Sequence, residues 1–324
     1  MLKSLKFISI LQAYSLPNYL HTSSRYASYS KDCLLKLRKQ TGFPFAFCKE
    51  ALSKNGNDYE QAYNWMQGEA DKRGLSKAGK LASRTMTQGL LGLLSTSKSA
   101  VIVEINCETD FVARNSSFQR LVSSSAHSIA HFFQNNASPK LLLDEDSLKS
   151  IKDLETDQLL PDSVALTIGS VGENMKIRRA LCMRTEGSDS RIASYVHTSS
   201  SGVSTSFKDV KFGKYAACLV YRPSSQQNSG PTWNETSASI CSKLCQHIVG
   251  MNPNPSLTLT KPVKNPDNEK CFFHQRYLLD ETIKVADLLE QNEIVVQGFV
   301  RMECGTEEVY DTDDSDQEAK KVTA

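Results

Sequence analysis

One order of hydrophobic patterns occurs twice in this chain, and it restricts the fold more than any other feature. The first copy is "GLLGLLSTSKSAVIVEINC" at 89–107, two apolar runs about the turn "STSKS", the pattern of an antiparallel hairpin. After it Phe118, Leu121, Val122, Ala126, Ile129 and Phe133 recur at helical spacing. In the second copy "RIASYVHTSS" and "KYAACLVYR" read as paired strands, and Ile240, Cys241, Leu244, Cys245 and Ile248 then line one helical face. Hairpin-then-helix thus spans about 90–133 and 191–251. A helix folded back over a hairpin buries the apolar faces of both, so the economical solution is an α+β core. It would consist of two subdomains with antiparallel sheets and packed helices, at 90–180 and 181–252.

The flanking segments differ in kind. Residues 31–70 read as three short helices: "KDCLLKLRKQTG" with Leu34, Leu35 and Leu37 apolar, "FPFAFCKEALSKNG" with Pro44 opening and Gly56 closing it, and "NDYEQAYNWMQGEADKRG". In the third, Asn57 and Glu60 suggest a capping box, and Ala62, Trp65 and Met66 share a face. The basic, small-residue stretch at 71–89 reads as a partly helical, exposed linker carrying Lys72, Arg73, Lys77, Lys80 and Arg84. Between the halves lie an acidic helical stretch and the strand-like "MKIRRALCMRTEG". A Pro/Asn-rich linker at 253–272 leads to a C-terminal module at 273–305, read as strand or turn, short helix and final strand. The acidic 306–324 reads as a disordered tail. The first 30 residues contain Lys3, Lys6 and Arg25 but no acid, are rich in Ser, and could place Leu2, Leu5, Phe7, Ile8 and Leu11 on one helical face. That is the composition of a mitochondrial transit peptide, with a disordered arm as the alternative.

Most motifs of enzymatic or ligand-binding chemistry are absent from the sequence. Neither G-x-x-x-x-G-K-[ST] nor G-x-G-x-x-G occurs, so direct nucleotide binding through a phosphate loop is not expected. A formal net charge of +2 argues against a nucleic-acid binder, and no apolar run is long enough to span a bilayer. The nine Cys are odd in number and sit mostly among apolar neighbours, as reduced buried thiols do. Cys241 and Cys245 lie on the apolar stripe of a helix, and His127 and His131 lack an H-E-x-x-H glutamate, so no metal or other cofactor is expected. Cys107 ends a strand before a helix, where a nucleophile can sit, but a buried thiol fits the same position. Glu108 and Asp110 could be an acid/base pair, yet nothing supplies a pocket.

There remains "TDFV", Thr109 to Val112, between that strand and the next helix. Asp110 could cap the helix and Phe111 could enter the core. Asn115, Ser116 or Ser117 could equally serve as the cap, which leaves an Asp-Phe pair free to project and intrude into a partner.

"NCETDFVARNSSFQ" resembles the signature of the elongation factor Ts family. So do "LRKQTGFPFAFCKEAL" and "NDYEQAYNWM", "VGENMKIRRA", "IASYVHTSS" and "VADLLEQNEIVVQGFVRMECG", in family order over most of 31–305. The resemblance implies that 31–70 is a ubiquitin-associated-like three-helix domain. It also implies that the chain is no bond-making enzyme but an exchange factor that promotes GDP release and GTP loading on elongation factor Tu, here the GDP-bound mitochondrial form, in the matrix. Carried over by residue, Asp110 and Phe111 would intrude beside the partner's magnesium ion, with Thr109 and Val112 shaping the loop. His197 would lie at the core contact, although it could equally be a half-buried strand histidine. The N-terminal bundle and a C-terminal helix near 281–290 would touch the partner's GTPase domain. The long helical hairpin of bacterial members is missing between 252 and 273, and "SSSGVSTSFKDVKFGKY" lengthens the second hairpin. Two other classes explain part of the chain: a mitochondrial adaptor binding peptides through its helical bundle, and a thiol enzyme using Cys107.

Overall fold

The computed structural model describes residues 30–41, 43–197, 206–225, 231–257, 263, 265, 268–306 and 309–311. The expected transit segment up to residue 29 and the tail from 312 onward lie outside the described residues.

Three helices open the fold: α1 (Lys31–Thr41), α2 (Phe45–Lys54) and α3 (Tyr59–Leu81). Leu34 and Leu37 of α1 pack on Cys48, Ala51 and Leu52 of α2 and on Ala62, Met66 and Ala70 of α3. Leu35, grouped with them in the sequence reading, is instead exposed, because it lies off that stripe. The cap of α3 falls one residue later than the expected Asn57. Asp58 Oδ1 accepts from Gln61 N at 2.8 Å, while Asn57 takes φ 66° in the turn. Pro44 is likewise the N-cap of α2 and not its first helical residue.

The third helix and the helical part of the stretch read as a linker form one unbroken helix, α3, to Leu81. Its small residues serve a close crossing with α7 (Leu160–Val171). A Cβ added to Gly74 would lie 2.5 Å from Ala165 O, and one added to Gly169 would lie 3.2 Å from Gly74 Cα. At this separation only glycine lets the backbones meet. What reads as a linker is the joint between bundle and core.

The core is two antiparallel sheets face to face, with helices on both outer sides. Sheet one runs β3 (Lys140–Leu143), β4 (Met175–Arg184), β2 (Ser99–Cys107), β1 (Gln88–Ser95), β7 (Val210–Gly213) and β6 (Ser206–Phe207). Sheet two runs β12 (Val309–Asp311), β11 (Ile294–Glu303), β8 (Tyr215–Pro223) and β5 (Arg191–His197). Period-two alternation sends Val101, Val103, Ile105 and Cys107 of β2 toward α5 (Ser116–Gln134), where Phe118, Val122, Ala126 and Ile129 meet them. Ala100 and Ile102 point the other way, onto Ile192, Ala216, Cys218, Val300 and Met302 of sheet two. Strand β2 is therefore buried on both faces, which explains its unbroken apolar run. Outside sheet two, α8 (Pro231–Met251) supplies Cys241, Leu244, Cys245 and Ile248 to a third cluster with Leu219 and Phe299.

The α+β reading with antiparallel sheets and packed helices holds. The repeat reaches further than expected: β2 pairs with β1 and β4, and β8 pairs in the same way with β5 and β11. Each half is thus a hairpin, a helix and a third strand. The final strand, expected in a separate module at 273–305, is part of the second half's sheet, where it puts Val296, Phe299, Val300 and Met302 into the core. Before it come the short hairpin β9 (Arg276–Tyr277) and β10 (Asp280–Lys284), then α9 (Val285–Gln291). The start of the acidic tail forms β12, which pairs Val309 with Met302 of β11. The long insertion does more than lengthen the second hairpin. Strands β6 and β7 cross to sheet one, where Phe212 pairs with Gly92 of β1. Among the described residues there are also two short α-helices, α4 (Asp110–Ala113) and α6 (Glu145–Leu148). Among the described residues between 252 and 271 there is no α-helix.

Candidate functional site

The "TDFV" stretch is a single helical turn and not an open loop. Thr109, the N-cap of α4, accepts from Val112 N at 3.4 Å, and Asn115 N donates to Val112 O at 2.9 Å to close the turn. Asn115 then caps α5, its Oδ1 accepting from Ser117 N at 2.8 Å. Asp110 is therefore not needed to start the long helix. Val112 and Ala113 anchor the turn in the core at 5% and 2% exposure, whereas Phe111 is 75% exposed. Solvated aromatic surface of this size is normally withdrawn into a core, so its display at a fixed point is informative.

Both polar residues of the turn are engaged. Arg114 Nη2 donates to Asp110 Oδ2 at 2.6 Å, one helical turn away, and the guanidinium carbon lies 5.9 Å from the Phe111 ring centroid. The Thr109 hydroxyl donates to both oxygens of Glu173, at 2.9 and 3.1 Å. Glu108 accepts from Asn174 N at 2.6 Å and pairs with Arg84 at 3.3 Å. Glu108 and Asp110 thus hold different partners and do not work as an acid/base pair.

Cys107 is fully buried, and its thiol donates to Thr109 O at 3.2 Å. Burial pushes its pKa up to about 12, so it is protonated at neutral pH and is no nucleophile. Cys218, Cys241 and Cys245 are buried thiols raised by the same desolvation. Among the described residues, no three His, Cys, Asp or Glu side chains gather as metal ligands, and no helix is long and apolar enough to cross a membrane.

His197 ends β5 as an exposed residue, not a half-buried one. Its Nδ1 lies 3.3 Å from the Tyr195 hydroxyl, and its ring is 6.2 Å from that of Tyr215. Together with Gln246, Val249, Gly250 and Leu278, these residues line an open cleft of about 420 Å³. Lys214 connects this cleft to the turn. Its backbone N–H donates to His197 O at 3.0 Å, and its Nζ donates to Gln88 Oε1 at 3.1 Å; Gln88 is the register partner of Cys107. His197 and the Thr109–Val112 turn therefore share one end of the sandwich, on different sheets.

No motif in the sequence assigns a role to Glu173 or Asn174. The available signal was Gly172, which takes φ 97° as the C-cap of α7 and directs the chain back toward the start of β4.

An exposed aromatic side chain on an anchored turn, at the same end of the sandwich as an aromatic cleft, is the kind of surface that docks on another macromolecule. Comparison with known sequences gives the family. Residues 18–76 match the family model "Elongation factor Ts, mitochondrial, N-terminal", and residues 108–260 match "Elongation factor TS". The mitochondrial elongation factor Ts of Aedes aegypti is 39% identical over 286 residues, which cover 86% of this chain and 90% of that protein. The Xenopus laevis protein is 38% identical over 292 residues, covering 89% and 90%, and the Mus musculus protein is 36% identical over 290 residues, covering 87% and 86%. The chain belongs to the elongation factor Ts family. The second matched segment begins at Glu108 and contains both the turn and His197.

Proposed function

We propose that the chain is the guanine nucleotide exchange factor for mitochondrial elongation factor Tu and works in the mitochondrial matrix on the GDP-bound partner. The observation that carries this reading is Phe111, 75% exposed on a turn whose neighbours Val112 and Ala113 are buried. Such a side chain is pre-positioned to enter a partner's apolar pocket at little cost in conformational entropy. Asp110 would accompany it into the GTPase domain beside the magnesium ion, with Thr109 and Val112 holding the shape of the turn and His197 docking on a second surface.

Magnesium is the main local counter-charge to the nucleotide phosphates. Displacing its shell weakens GDP, and linkage requires that GDP weaken the factor by the same amount. GTP then loads and the factor leaves. No covalent bond is made or broken, so no catalytic residue, nucleotide site or cofactor of the chain's own is called for, and neither nucleic acid nor membrane takes part.

The magnesium step is tested by measuring GDP release from the partner with and without a chelator. The reading requires the factor's acceleration to shrink once magnesium has been stripped. An undiminished acceleration contradicts it. The peptide-adaptor reading leaves the turn without a role, and the thiol-enzyme reading is opposed by the burial of Cys107.

A further inference from the structure

A turn as short as α4 has no stability of its own, because nucleating a helix costs more than four residues return. Phe111 adds no burial to offset this, since it faces solvent. Buried Val112 and Ala113 hold its inner side, and two loops tied to each other hold its start. Cys107 ends β2 opposite Met175, which begins β4, so residues 108–109 and 173–174 leave the same rung of one ladder. The ties run in both directions. Glu108 accepts from Asn174 N at 2.6 Å, and Glu173 accepts from the Thr109 hydroxyl with both oxygens, at 2.9 and 3.1 Å. Asn174 Nδ2 donates to Arg84 O at 3.3 Å, and Arg84 in turn pairs with Glu108.

The bond to Glu173 has a consequence for Thr109. With its proton committed to the carboxylate, the hydroxyl oxygen keeps its lone pairs for Val112 N, which is the capping bond of the turn. A hydroxyl free to rotate would satisfy that N–H only part of the time.

We infer that Glu173 is a positioning residue for exchange: it fixes the Thr109 hydroxyl as the cap of the turn and thereby holds Phe111 in the presented geometry. This inference rests on the reading of the turn as the partner-engaging element. A merely structural Glu173 would lower stability without regard to what Phe111 does. A positioning Glu173 matters only through Phe111.

The test measures GDP release from mitochondrial elongation factor Tu at saturating factor for the wild type, Glu173→Ala, Glu173→Gln, Phe111→Ala and the double variant Glu173→Ala/Phe111→Ala, with thermal unfolding of each. Glu173→Ala should slow release about five- to tenfold, the net effect of one typical hydrogen bond. Glu173→Gln keeps an acceptor for the Thr109 hydroxyl and should restore release to within about twofold of the wild type. In the Phe111→Ala background, Glu173→Ala should slow release no further. Release at the wild-type rate by Glu173→Ala while Phe111→Ala is slow overturns this inference alone. So does an equal loss in both backgrounds, which would mark a structural role. Phe111→Ala at the wild-type rate removes the underlying reading of the turn, and this inference with it.

Discussion

Arg179 donates from Nε to the buried carboxylate of Glu104 at 2.7 Å, across the β2–β4 pair at the centre of sheet one. Glu104 also accepts from Gly305 N at 2.8 Å and from Asn106 Nδ2 at 3.0 Å, and Arg179 Nη2 donates to Glu303 O and Thr306 O. One fully buried carboxylate thus locks the end of β11 in sheet two onto the middle of sheet one. Removing one partner of such a pair leaves the other charge buried without compensation. Glu104→Ala should therefore lose about 3–5 kcal/mol in urea unfolding. A loss below about 1 kcal/mol would mean that the pair does not join the sheets.

Gly74 discriminates between a linker and a joint by the sign of one number. In an exposed helix Gly→Ala stabilises by about 1 kcal/mol. Here the added Cβ would stand 2.5 Å from Ala165 O, in backbone that cannot withdraw cheaply. Gly74→Ala should accordingly destabilise by about 1–3 kcal/mol and expose the α3–α7 contact to limited proteolysis. A rise in stability would contradict the close crossing.

His247 sets a pH dependence. It is fully buried on α8, its Nε2 2.9 Å from Gln275 Oε1 while its Nδ1 accepts from Leu278 N at 3.1 Å. Burial holds its pKa down at about 4, against an ordinary value of 6.5. Between these values the unfolded chain binds the proton and the folded chain does not, so stability rises with pH through that window. The contribution is fully present above about 6.5 and is lost as pH falls toward 4, by up to about 3 kcal/mol. Unfolding measured from pH 7 to 4.5 should show this slope, and His247→Gln should flatten it. An unchanged slope in the variant would assign the effect to other groups.

Cys107 should be inert in the native protein. With its thiol buried and its pKa pushed up to about 12, it should resist alkylation at pH 7.5 until the chain unfolds, and Cys107→Ala should keep exchange activity. Rapid labelling coupled to loss of exchange would revive a thiol role.

The parts of this architecture that were legible in the sequence are those governed by local periodicity. The stripe from Phe118 to Phe133, the turn at "STSKS" and the doubly buried β2 follow directly from spacing. Contacts between remote segments were not legible. Nothing local marks Gly74 as facing Ala165, and nothing in "VKFG" says that it leaves its own hairpin to pair with β1. The same limit applies at the site. The spacing of Asn115 and Ser117 left Asp110 free of the cap, but Glu173 reaches Thr109 only because Cys107 and Met175 are register partners. The exposure of Phe111 could not be read from its type, since a phenylalanine between strand and helix is ordinarily buried.

The central claim is that Asp110 and Phe111, presented by the Thr109–Val112 turn, drive nucleotide release. The most direct measurement is single-turnover release of fluorescent GDP from mitochondrial elongation factor Tu, comparing the wild type with Asp110→Ala/Phe111→Ala. Phe111 is exposed and Asp110 is only in an exposed ion pair, so the variant should fold as the wild type does, checked by circular dichroism. The account predicts strong acceleration by the wild type and a loss of at least about tenfold in the variant. Equal rates from the two proteins would contradict it.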